Sequence, residues 1–509
     1  MLVEHRRIYL DHLGETTDAL LIRDGRVRAV GDEARERVRG DEDVHRPDGA
    51  CLLPALGDAH VHLWGLGLRA GTVDLRALDA DQALDALADA EASDAGWVFA
   101  TNLDEHNFSP DQHLVRDDLD KLFPKTPVCI HRVDRHAVRV NSAALERADF
   151  DPRDFAGDGG RVDCDSDGRP TGILVDDAFE PILDAIPEPD RAERRAVFDE
   201  SARRLRDFGI AFCTIAWCRA AEFEMLRSIV DDGELPLACD VLVDGADDDS
   251  TPIIEQGPFT CGDLRVGGVK FFADGALGSS GAHLLSPYRD GGCGVSIHPE
   301  GFLRRRIPEL MEMGWQIAVH AIGDAANRRV LDAFEAVPKS VCTRLRPRIE
   351  HAQMVAPDDC PRFAELDVVA SIQPIHLRSD APWASEALHE DQLARLFPWR
   401  SLRPATFAAG SDYPIDDPNP WHGIATALTR EGADGVAFRP DDALTRSEII
   451  GAYTAGAAFA SHRDRDFGAL RPGYRSAITV ADTDPFDADP AEIFDTEARL
   501  LEDILSGDP

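Results

Sequence analysis

The sequence predicts an α/β protein built on a (β/α)₈ (TIM) barrel, and three features of the chain support this fold class. From about residue 195, short apolar runs alternate with helical segments, as expected of parallel strands connected by helices. Eight such runs occur when residues 51–62 are counted, and a (β/α)₈ barrel needs eight. Histidine, lysine and aspartate lie in or at the ends of several runs, where barrel active sites occur.

The two chain ends are predicted to form a small β-sandwich domain. Residues 18–31 have the pattern of two strands joined by an Asp24-Gly25 turn, a dipeptide typical of tight hairpins. Residues 468–485 turn at a Pro-Gly pair into a strand rich in β-branched residues. We expect residues 1–54 to supply the first part of this domain. Residues 426–509 should supply the last barrel helices and its second part.

The barrel itself is predicted over residues 55–425, with a large insertion after its first strand. A helical pattern over 80–95 is followed by a region, about 97–185, that lacks a clean strand–helix unit and that we assign to the insertion. The regular pattern then resumes with a helix over 191–208. The remaining predicted strands are 209–217, 235–244, 264–275, 315–324, 346–354, 367–376 and 405–415, with a helix over about 220–232 between the first two.

The composition argues against several classes of partner. A formal net charge of −40 is opposite in sign to the basic surfaces that bind nucleic acid. We expect no membrane partner and a cytoplasmic location, because the chain has neither a run of about 18 apolar residues nor an N-terminal signal peptide pattern. The acidic residues are dispersed, and only four of the 54 basic residues are lysines. This resembles halophilic proteins, in which salt screens the repulsion between like charges.

The ten cysteines contain no CxxC pair and no regular spacing, which argues against a disulfide framework or a zinc ribbon. Several are flanked by apolar residues and are predicted to be buried free thiols in a reducing compartment. These are Cys51, Cys129, Cys213, Cys239 and Cys261.

Candidate metal ligands recur at the ends of the predicted strands. His60 and His62 end the first run and, being two residues apart, project to the same side of a strand, where they can share one metal ion. An unpaired carboxylate such as Asp412, after an apolar strand, would be costly without a partner. A single histidine at such a place is more often structural, but the set as a whole predicts a metal site. Its other members are Lys270 in the fourth run, His320 in the fifth and His351 in the sixth.

Lys270 lies in the apolar run GGVKFFADG, where burial would favour the neutral amine. A neutral amine can react with CO₂ to give a carbamate, which is a carboxylate on a long side chain and can bridge two metal ions. The alternative is that Lys270 stays an ammonium group paired with Asp274 or another acid. Arginine could not replace the lysine in the first case, because a guanidinium group stays protonated.

Taken together, the motifs resemble the amidohydrolase superfamily, and within it amidohydrolase family 3, in the branch that includes N-substituted formamide deformylase. The resemblance extends over about residues 20–484. The motifs that carry it are LPALGDAHVHL, VKFFADGALGSSGAHLLSPYRD, VHAIGDAAN, IEHAQM, SIQPIHLRSD and AGSDYPIDDPNPWHGI.

The resemblance implies a metal-dependent hydrolase acting on carbon–nitrogen bonds other than peptide bonds. It implies that His60, His62 and Asp412 hold one metal ion. It also implies that Lys270, as a carbamate, bridges to a second ion held by His320 and His351. A histidine-rich site favours zinc, in one or two ions per chain, with manganese, iron and cobalt as alternatives.

The residues that contact the substrate are less well determined by the sequence. The second strand lacks the acidic residue that often ends the corresponding family strand, and the region around 100–108 is altered. His136, Asn141 and His376 are candidate substrate-binding residues, with structural loop contacts as the alternative for the first two. Asp324 and Asn327, which follow His320, are candidates for a supporting role near the site or for helix capping.

The predicted reaction is hydrolysis of an amide-type, non-peptide C–N bond of a small organic molecule by metal-activated water. Asp412 would act as general base and then acid, and His320 or a neighbour would hydrogen-bond to the developing oxyanion. A mononuclear-metal deaminase with a cationic Lys270 is the second hypothesis. A non-catalytic binding or regulatory homologue is the third, and the complete set of ligands argues against it. The sequence does not determine the substrate, the metal or the oligomeric state, for which a homodimer is one option.

Overall fold

Eight parallel strands form the central sheet of the structure, which is a computed structural model. Backbone hydrogen bonds from Asp412 N to His60 O (2.7 Å) and from His62 N to Tyr413 O (2.9 Å) connect the end of the last strand to the first. The eight predicted runs are thus the strands of a nearly closed (β/α)₈ barrel. In sheet order they are Leu56–Val61, Ile210–Cys218, Ala238–Asp244, Leu264–Phe272, Gln316–Ala321, Arg348–His351, Val369–Ile372 and Phe407–Ala409, and a short strand Phe259–Cys261 pairs antiparallel with the fourth.

The structure describes most of the chain, in two compact units with separate sheets. One unit comprises Met1–Leu63 and Ser201–Pro509, and the other comprises Trp64–Glu200. The described residues are 1–40, 42–64, 72–76, 78–93, 95–109, 112–132, 137–155, 160–187, 190–231, 233 and 235–507.

The barrel strands are buried on both faces, and most of their residues are apolar. Every residue of Ala238–Asp244 and of Arg348–His351 is buried, as is usual for parallel strands covered by helices. Glycines permit close contacts between the strands. A Cβ atom at Gly57 would lie 2.2 Å from the ring of Phe212, so no larger residue fits there without displacing that ring.

Helices follow the barrel strands along the chain, as the alternating pattern predicted, and Arg191–Arg206 precedes the second strand. Those between the second and sixth strands are Ala220–Asp231, Thr251–Gln256, Phe302–Glu312, Asp324–Glu335 and Lys339–Leu345. The later ones are Cys360–Glu365, Pro374–Ala387, Glu390–Leu393, Trp399–Leu402, Pro420–Thr429, Arg446–Gly451 and Ala457–Ala460, with 3₁₀ turns at Asp248–Ser250 and Pro440–Asp442 and a π-helical turn at Ala452–Gly456.

The two chain ends contribute strands to one sheet. Asp24 and Gly25 both have positive φ (53° and 64°), as the predicted tight turn requires. The predicted run 51–62 is divided, because its first half, Cys51–Pro54, pairs with Ile478–Ala481 in this sheet. By hydrogen bonding the described strands form one sheet and not the two that a sandwich implies. The strands, in sheet order, are Ala498–Leu500, Ile478–Ala481, Cys51–Pro54, Leu2–Tyr9, Thr16–Arg23 and Arg26–Val30, with Val44–His45 beside Leu2–Tyr9; the accompanying helices are Gly31–Glu36, Pro490–Phe494 and Leu501–Ser506.

The unit Trp64–Glu200 contains a six-stranded sheet of its own. The predicted insertion, 97–185, lies within this unit, which is larger because Val73–Asp74 pairs with Val98–Leu103. The strands, in sheet order, are Gly160–Cys164, Pro170–Asp176, Ala137–Val140, Val128–Arg132, Val98–Leu103 and Val73–Asp74. The helices are Ala80–Ala88, Arg116–Leu122, Ser142–Arg147 and Glu180–Asp184, with 3₁₀ turns at Glu105–Asn107, Pro152–Asp154 and Asp177–Phe179.

All ten cysteines are free thiols, which agrees with the absence of a disulfide pattern. The prediction of burial is correct for Cys51, Cys129, Cys213 and Cys239. The prediction is wrong for Cys261, which is exposed. Cys261 ends the short strand Phe259–Cys261, which pairs with the start of the fourth barrel strand and not with a second neighbour among the described strands.

Among the described residues, no helix combines the length and the apolar character that a membrane span requires.

Candidate metal centre and active site

The end of the first barrel strand and the loop after the eighth bring two histidines to one carboxylate. The Nε2 atoms of His60 and His62 each lie 3.1 Å from Asp412 Oδ1. His60 is almost fully buried, whereas the side chain of His62 is 26% exposed. Both imidazoles thus face the same carboxylate oxygen, and His62 is the more exposed of the two.

Asp58 fastens the loop that carries Asp412 to the first strand. Its buried carboxylate accepts hydrogen bonds from the backbone N of His60 (2.9 Å), from the backbone N of Ser411 (3.1 Å) and from Ser411 Oγ (2.6 Å). Burial raises the pKa of Asp58 to about 6, against the lowering effect of these hydrogen bonds. The positions of His60 and Asp412 are therefore coupled through one side chain.

Two further histidines surround the same carboxylate. His351 Nδ1 lies 3.9 Å and His376 Nε2 lies 3.7 Å from Asp412 Oδ2. The ring centre of His351 is 4.5 Å from that of His320 and 5.1 Å from that of His60. The four strand-end histidines predicted from the sequence thus lie in one cluster with Asp412, and His376 is a fifth member.

These residues fit a divalent cation. His60, His351 and Asp412 offer one ligand atom each, and the three atoms lie within 4.8 Å of one another. In the described part of the chain, His351 Nδ1 and His376 Nε2 are buried and have no hydrogen-bond partner. Burial holds the pKa of His351 well below its usual range, so its imidazole is neutral, as a metal ligand must be.

The electrostatics of His60 also favour a cation at this place. Burial and the charge of Lys270 lower the pKa of His60, but the carboxylates of Asp412 and Glu350 outweigh them and raise it. Burial alone would raise the pKa of Asp412. The charge of His60 and the hydrogen bonds from His60 and His62 outweigh this effect and hold the pKa well below its usual range. The surroundings of these atoms therefore stabilise positive charge next to an ionised Asp412.

Lys270 is buried in the fourth strand, close to these residues. Burial lowers the pKa of its amine to about 8, although the charges of Glu350 and Asp412 act in the opposite direction. Its Nζ lies 5.0 Å from the centre of the Phe272 ring. A substantial fraction of a buried amine with this pKa is neutral near pH 8.

The alternative partner of Lys270, Asp274, is engaged elsewhere. Its carboxylate accepts backbone hydrogen bonds from Ile322 (3.0 Å), Gly323 (2.8 Å) and His283 (2.8 Å). No ion pair between Asp274 and Lys270 is formed among the described contacts. His320 Nε2 lies 3.6 Å from Asp274 Oδ1, and burial lowers the pKa of His320 to about 3, so this imidazole is neutral.

Two charged residues of the site were not predicted from the sequence. Glu350 Oε2 lies 2.5 Å from His60 Nδ1, and Glu350 Oε1 accepts a 2.5 Å hydrogen bond from Arg348 Nε. Both side chains are fully buried. The signal was present in the motif RPRIEHAQM, where two charges flank an isoleucine in a buried strand.

Aromatic side chains lie beside the exposed edge of the cluster. The ring of Trp217, at the end of the second strand, is 6.4 Å from that of His62 and 5.6 Å from that of Phe272, edge to face in both cases. Trp217 Nε1 is buried without a hydrogen-bond partner among the described residues. The second strand lacks the acidic residue expected from the family resemblance, and near its end the indole of Trp217 lies next to the candidate ligand His62.

The two candidate substrate residues of the insertion, His136 and Asn141, belong to the unit Trp64–Glu200. His136 lies outside the described residues. Asn141 is fully buried in the unit Trp64–Glu200, where its amide oxygen accepts from Val128 N and Ala144 N, both at 3.0 Å, and its nitrogen donates to Phe123 O at 2.8 Å. These contacts support the structural alternative for Asn141.

Asp324 and Asn327 have structural contacts, but neither caps the helix in which it lies. Asp324 accepts from Leu285 N (2.8 Å) and from Arg395 Nη1 (2.7 Å). Asn327 Nδ2 lies within hydrogen-bonding distance of four backbone carbonyl oxygens, including that of Met354 at 3.0 Å. Asn327 thus holds the loop that follows His320, and Asp324 connects the start of the helix to Leu285 and Arg395.

The chain is similar in sequence to known proteins over most of its length. Residues 48–501 match the amidohydrolase family. YtcJ of Bacillus subtilis (strain 168) is 32% identical over 500 residues, covering 94% of this chain and 93% of YtcJ. N-substituted formamide deformylase of Arthrobacter pascens is 27% identical over 533 residues, covering 98% of this chain and 95% of that protein.

A solved structure shows the same fold. An uncharacterized metal-dependent hydrolase from Pyrococcus horikoshii OT3 superimposes with a TM-score of 0.81 at 24% identity, covering 96% of this chain and 99% of that one. The family match extends over most of the chain, and the YtcJ alignment is similarly complete. The chain therefore belongs to the amidohydrolase family of hydrolases.

Proposed function

We propose that the chain hydrolyses an amide-type, non-peptide C–N bond of a small organic molecule. The observation that carries this proposal is the cluster of histidines around Asp412 at the carboxyl ends of the barrel strands. In the proposed site, His60, His62 and Asp412 hold one divalent cation, with zinc the metal that histidine-rich sites favour. His320 and His351 would hold a second ion, and Lys270, as a carbamate, would supply a carboxylate group to both.

A bound divalent cation acts as a Lewis acid that acidifies water and polarises the scissile carbonyl group. Asp412, whose low pKa keeps it ionised at neutral pH, accepts the proton of the attacking water and delivers it to the leaving nitrogen. His320 or a neighbouring group donates a hydrogen bond to the carbonyl oxygen as negative charge develops there. Burial of the site strengthens both interactions, because the local dielectric is low.

The carbamate on Lys270 is the part of the proposal that concerns a covalent change. The lone pair of neutral Nζ attacks the carbon of CO₂ and forms an N–C bond, while the electron pair of one C=O π bond moves onto oxygen. One N–H bond then loses its proton to water, which leaves a carbamate with one negative charge. Burial of Lys270 next to His60 and Asp412 supports this role. So does the retention of one buried lysine in a chain that has only four.

A mononuclear-metal deaminase with Lys270 as a cation is the second candidate. The observation that favours it is the proximity of Lys270 to the charges of Glu350 and Asp412, which raise the pKa of the amine and favour ammonium. In this reading the carboxylates compensate the buried charge and no second ion is needed.

Trp217 and Phe272 support an apolar group on the substrate. Their rings lie beside His62, which is the ligand most exposed to solvent. The name of the A. pascens relative, N-substituted formamide deformylase, agrees with a substrate that carries a substituent on nitrogen. We therefore propose N-substituted formamides and amides as the first compounds to test, with lactams as a third group.

The deciding experiment measures metal per chain by elemental analysis after reconstitution with zinc, with and without bicarbonate. Turnover is measured in parallel on the three groups of compounds and on amino-substituted ring compounds. Two ions per chain, a bicarbonate requirement and hydrolysis of at least one group support the proposal. One ion without a bicarbonate effect contradicts the carbamate bridge. Release of ammonia from an amino-substituted ring, with no amide hydrolysed, supports the deaminase.

A Lys270→Arg variant tests the proposed carbamate bridge directly. The guanidinium group stays protonated and cannot react with CO₂. We expect one zinc ion per chain in place of two, and no response to bicarbonate. Lys339→Arg is the matched control, since Lys339 is exposed at the start of a helix. Two ions in the Lys270→Arg variant would exclude the carbamate.

A further inference from the structure

A buried ion pair lies in the interior of the barrel behind the candidate ligand His60. Arg348 Nε and Nη2 donate to the two carboxylate oxygens of Glu350, at 2.5 and 3.1 Å, and both side chains have no exposed surface. Glu350 Oε2 also lies 2.5 Å from His60 Nδ1. The three side chains therefore form one hydrogen-bonded chain from guanidinium to carboxylate to imidazole.

This chain of contacts crosses the barrel. Arg348 and Glu350 are two residues apart on the sixth strand, so their side chains project to the same side. Arg348 Nη2 additionally donates to Ala59 O, in the first strand, at 2.6 Å, and to Ser371 Oγ, in the seventh, at 2.9 Å. The first and sixth strands are not neighbours in the sheet, so these contacts hold His60 from the opposite wall.

Stability alone does not explain why these charges are buried. Replacing a buried ion pair with apolar side chains of similar volume is often neutral or stabilising, because the desolvation of both charges offsets their attraction. Apolar side chains could not, however, accept a hydrogen bond from His60 Nδ1, as Glu350 does. A carboxylate at this place fixes which ring nitrogen carries the proton.

We propose that Glu350 and Arg348 are positioning residues for the metal ligand His60. Glu350 accepts the Nδ1–H of His60, so that Nε2, which lies 3.1 Å from Asp412 Oδ1, is the nitrogen left free to bind the cation. Arg348 orients the carboxylate and neutralises its charge. This inference rests on the proposed metal site but not on the reaction or on the identity of the substrate.

The test is the affinity of the purified full chain for zinc, measured by competition with a chromophoric chelator. Glu350→Gln keeps the size of the side chain but weakens its hydrogen bond to Nδ1 and leaves Arg348 without its counter-charge. We expect about a 10- to 100-fold loss of zinc affinity, as for other partners of metal-bound histidines. Glu365→Gln, in an exposed position at the end of a helix, is the matched control and should bind zinc like the wild type.

A double variant, Arg348→Met/Glu350→Gln, separates positioning from folding. It removes the unpaired cation, so we expect the metal-free protein to melt closer to the wild type than Glu350→Gln does, while the loss of zinc affinity persists. If Glu350→Gln does not fold, the double variant decides. Cobalt-substituted samples give a second readout, because displaced His60 alters the visible absorption of the bound ion.

The outcomes separate this inference from the proposed function. Zinc affinity within about twofold of the wild type in the double variant would overturn the positioning role while leaving the metal site intact. A wild-type chain that binds no zinc would overturn both. A wild-type chain that binds zinc but hydrolyses no compound would contradict the proposed reaction alone, and the positioning role would still be decided by the affinities.

Discussion

At the scale of single residues, two candidate ligands occupy an uncommon backbone conformation. His351 has φ of 75° and Asp412 has φ of 56°, in the left-handed region that residues other than glycine avoid. Such a conformation costs about 1 to 3 kcal/mol and persists only where the surroundings enforce it. On a regular strand, Glu350 and His351 would point to opposite sides, yet both approach His60. The backbone at His351 therefore departs from strand geometry where the ligand must reach the site.

The role of Asp412 as proton acceptor leads to the first prediction. In an Asp412→Asn variant the amide cannot accept the water proton, so we expect turnover to fall by about 100-fold or more. The measurement is the initial rate on whichever compound the wild type hydrolyses, with metal content and circular dichroism recorded in parallel. Asp358→Asn, at an exposed position, is the matched control. A variant that retains half of the wild-type rate would exclude the role.

His462 leads to a prediction about acid stability. Burial lowers its pKa to about 4, and the charges of Arg265 and Arg346 act in the same direction while Asp240 opposes them. The ring lies in the unit that holds the barrel, with Nε2 3.2 Å from Leu345 O. Below an ordinary histidine pKa of about 6.5 the unfolded chain binds a proton that the folded chain does not. Stability is therefore lost as pH falls from about 6.5 to about 4, by on the order of 3 kcal/mol.

A His462→Asn variant isolates this contribution. Asparagine tolerates the positive φ of 56° at this position better than most residues do and does not titrate. We expect the melting temperature of the variant to depend less on pH between 7 and 5 than that of the wild type. Equal pH dependence in the two proteins would show that His462 is not responsible.

At the scale of elements, the junction between the first and eighth strands determines the geometry of the site. His60 and His62 lie on one side of this junction and Asp412 on the other, and Asp58 joins the two through Ser411. Gly410 is part of the same junction, because a Cβ atom there would lie 2.4 Å from the backbone N of His60. The absence of a side chain at Gly410 therefore allows the first and eighth strands to approach closely enough for His60 to contact Asp412.

Gly410→Ala tests this junction. The added methyl group would meet backbone at His60, which cannot move as a flexible side chain can, so we expect a loss of about 1 to 3 kcal/mol in the free energy of unfolding. Zinc affinity should fall as well, because Asp412 moves away from His60. Gly40→Ala is the control, since a Cβ atom there meets nothing within 4 Å. Chemical denaturation and chelator competition measure the two effects, and an unchanged variant would contradict the argument.

At the scale of the whole molecule, the dominant property is the net charge of −40. Arginines on the surface are engaged with acids, as in the pairs Arg23–Glu42 and Arg475–Asp263. Exposed pairs of this kind each contribute little, about 0 to 1 kcal/mol. The excess of acidic residues remains uncompensated, and its mutual repulsion opposes the compact state.

Salt should therefore stabilise the protein. The screening length falls from about 10 Å at 0.1 M to about 3 Å at 1 M ionic strength, so repulsion between exposed carboxylates weakens. We expect the melting temperature to rise steadily as KCl increases from 0.1 to 2 M. A non-ionic osmolyte at matched osmolarity is the control, because it is excluded from the surface without screening charge. An equal effect of the osmolyte, or none of KCl, would contradict the halophilic interpretation.

Much of the barrel could be predicted because its signals are local. Parallel strands buried on both faces are rich in apolar residues, which is why the eight runs, including 209–217 and 405–415, are recognisable in the sequence even though the sixth carries Arg348 and Glu350. The division of the run 51–62 into two strands is not predicted from the sequence. Cys51–Pro54 belongs to the sheet of the chain ends and Leu56–Val61 to the barrel, and hydrophobic periodicity does not show where the chain passes from one sheet to the other. The exposure of Cys261 was missed for a similar reason, since apolar neighbours do not show whether a strand is covered.

The sequence by itself determined the type of fold and the identity of the candidate ligands, because strand-end positions in a barrel converge whatever the loops do. The tertiary structure decided which atoms meet. Only it placed Glu350 and Arg348 behind His60, across the barrel, and turned His351 toward the cluster through a left-handed backbone. These contacts join residues far apart in the chain, and no local pattern encodes a distance between the first strand and the sixth.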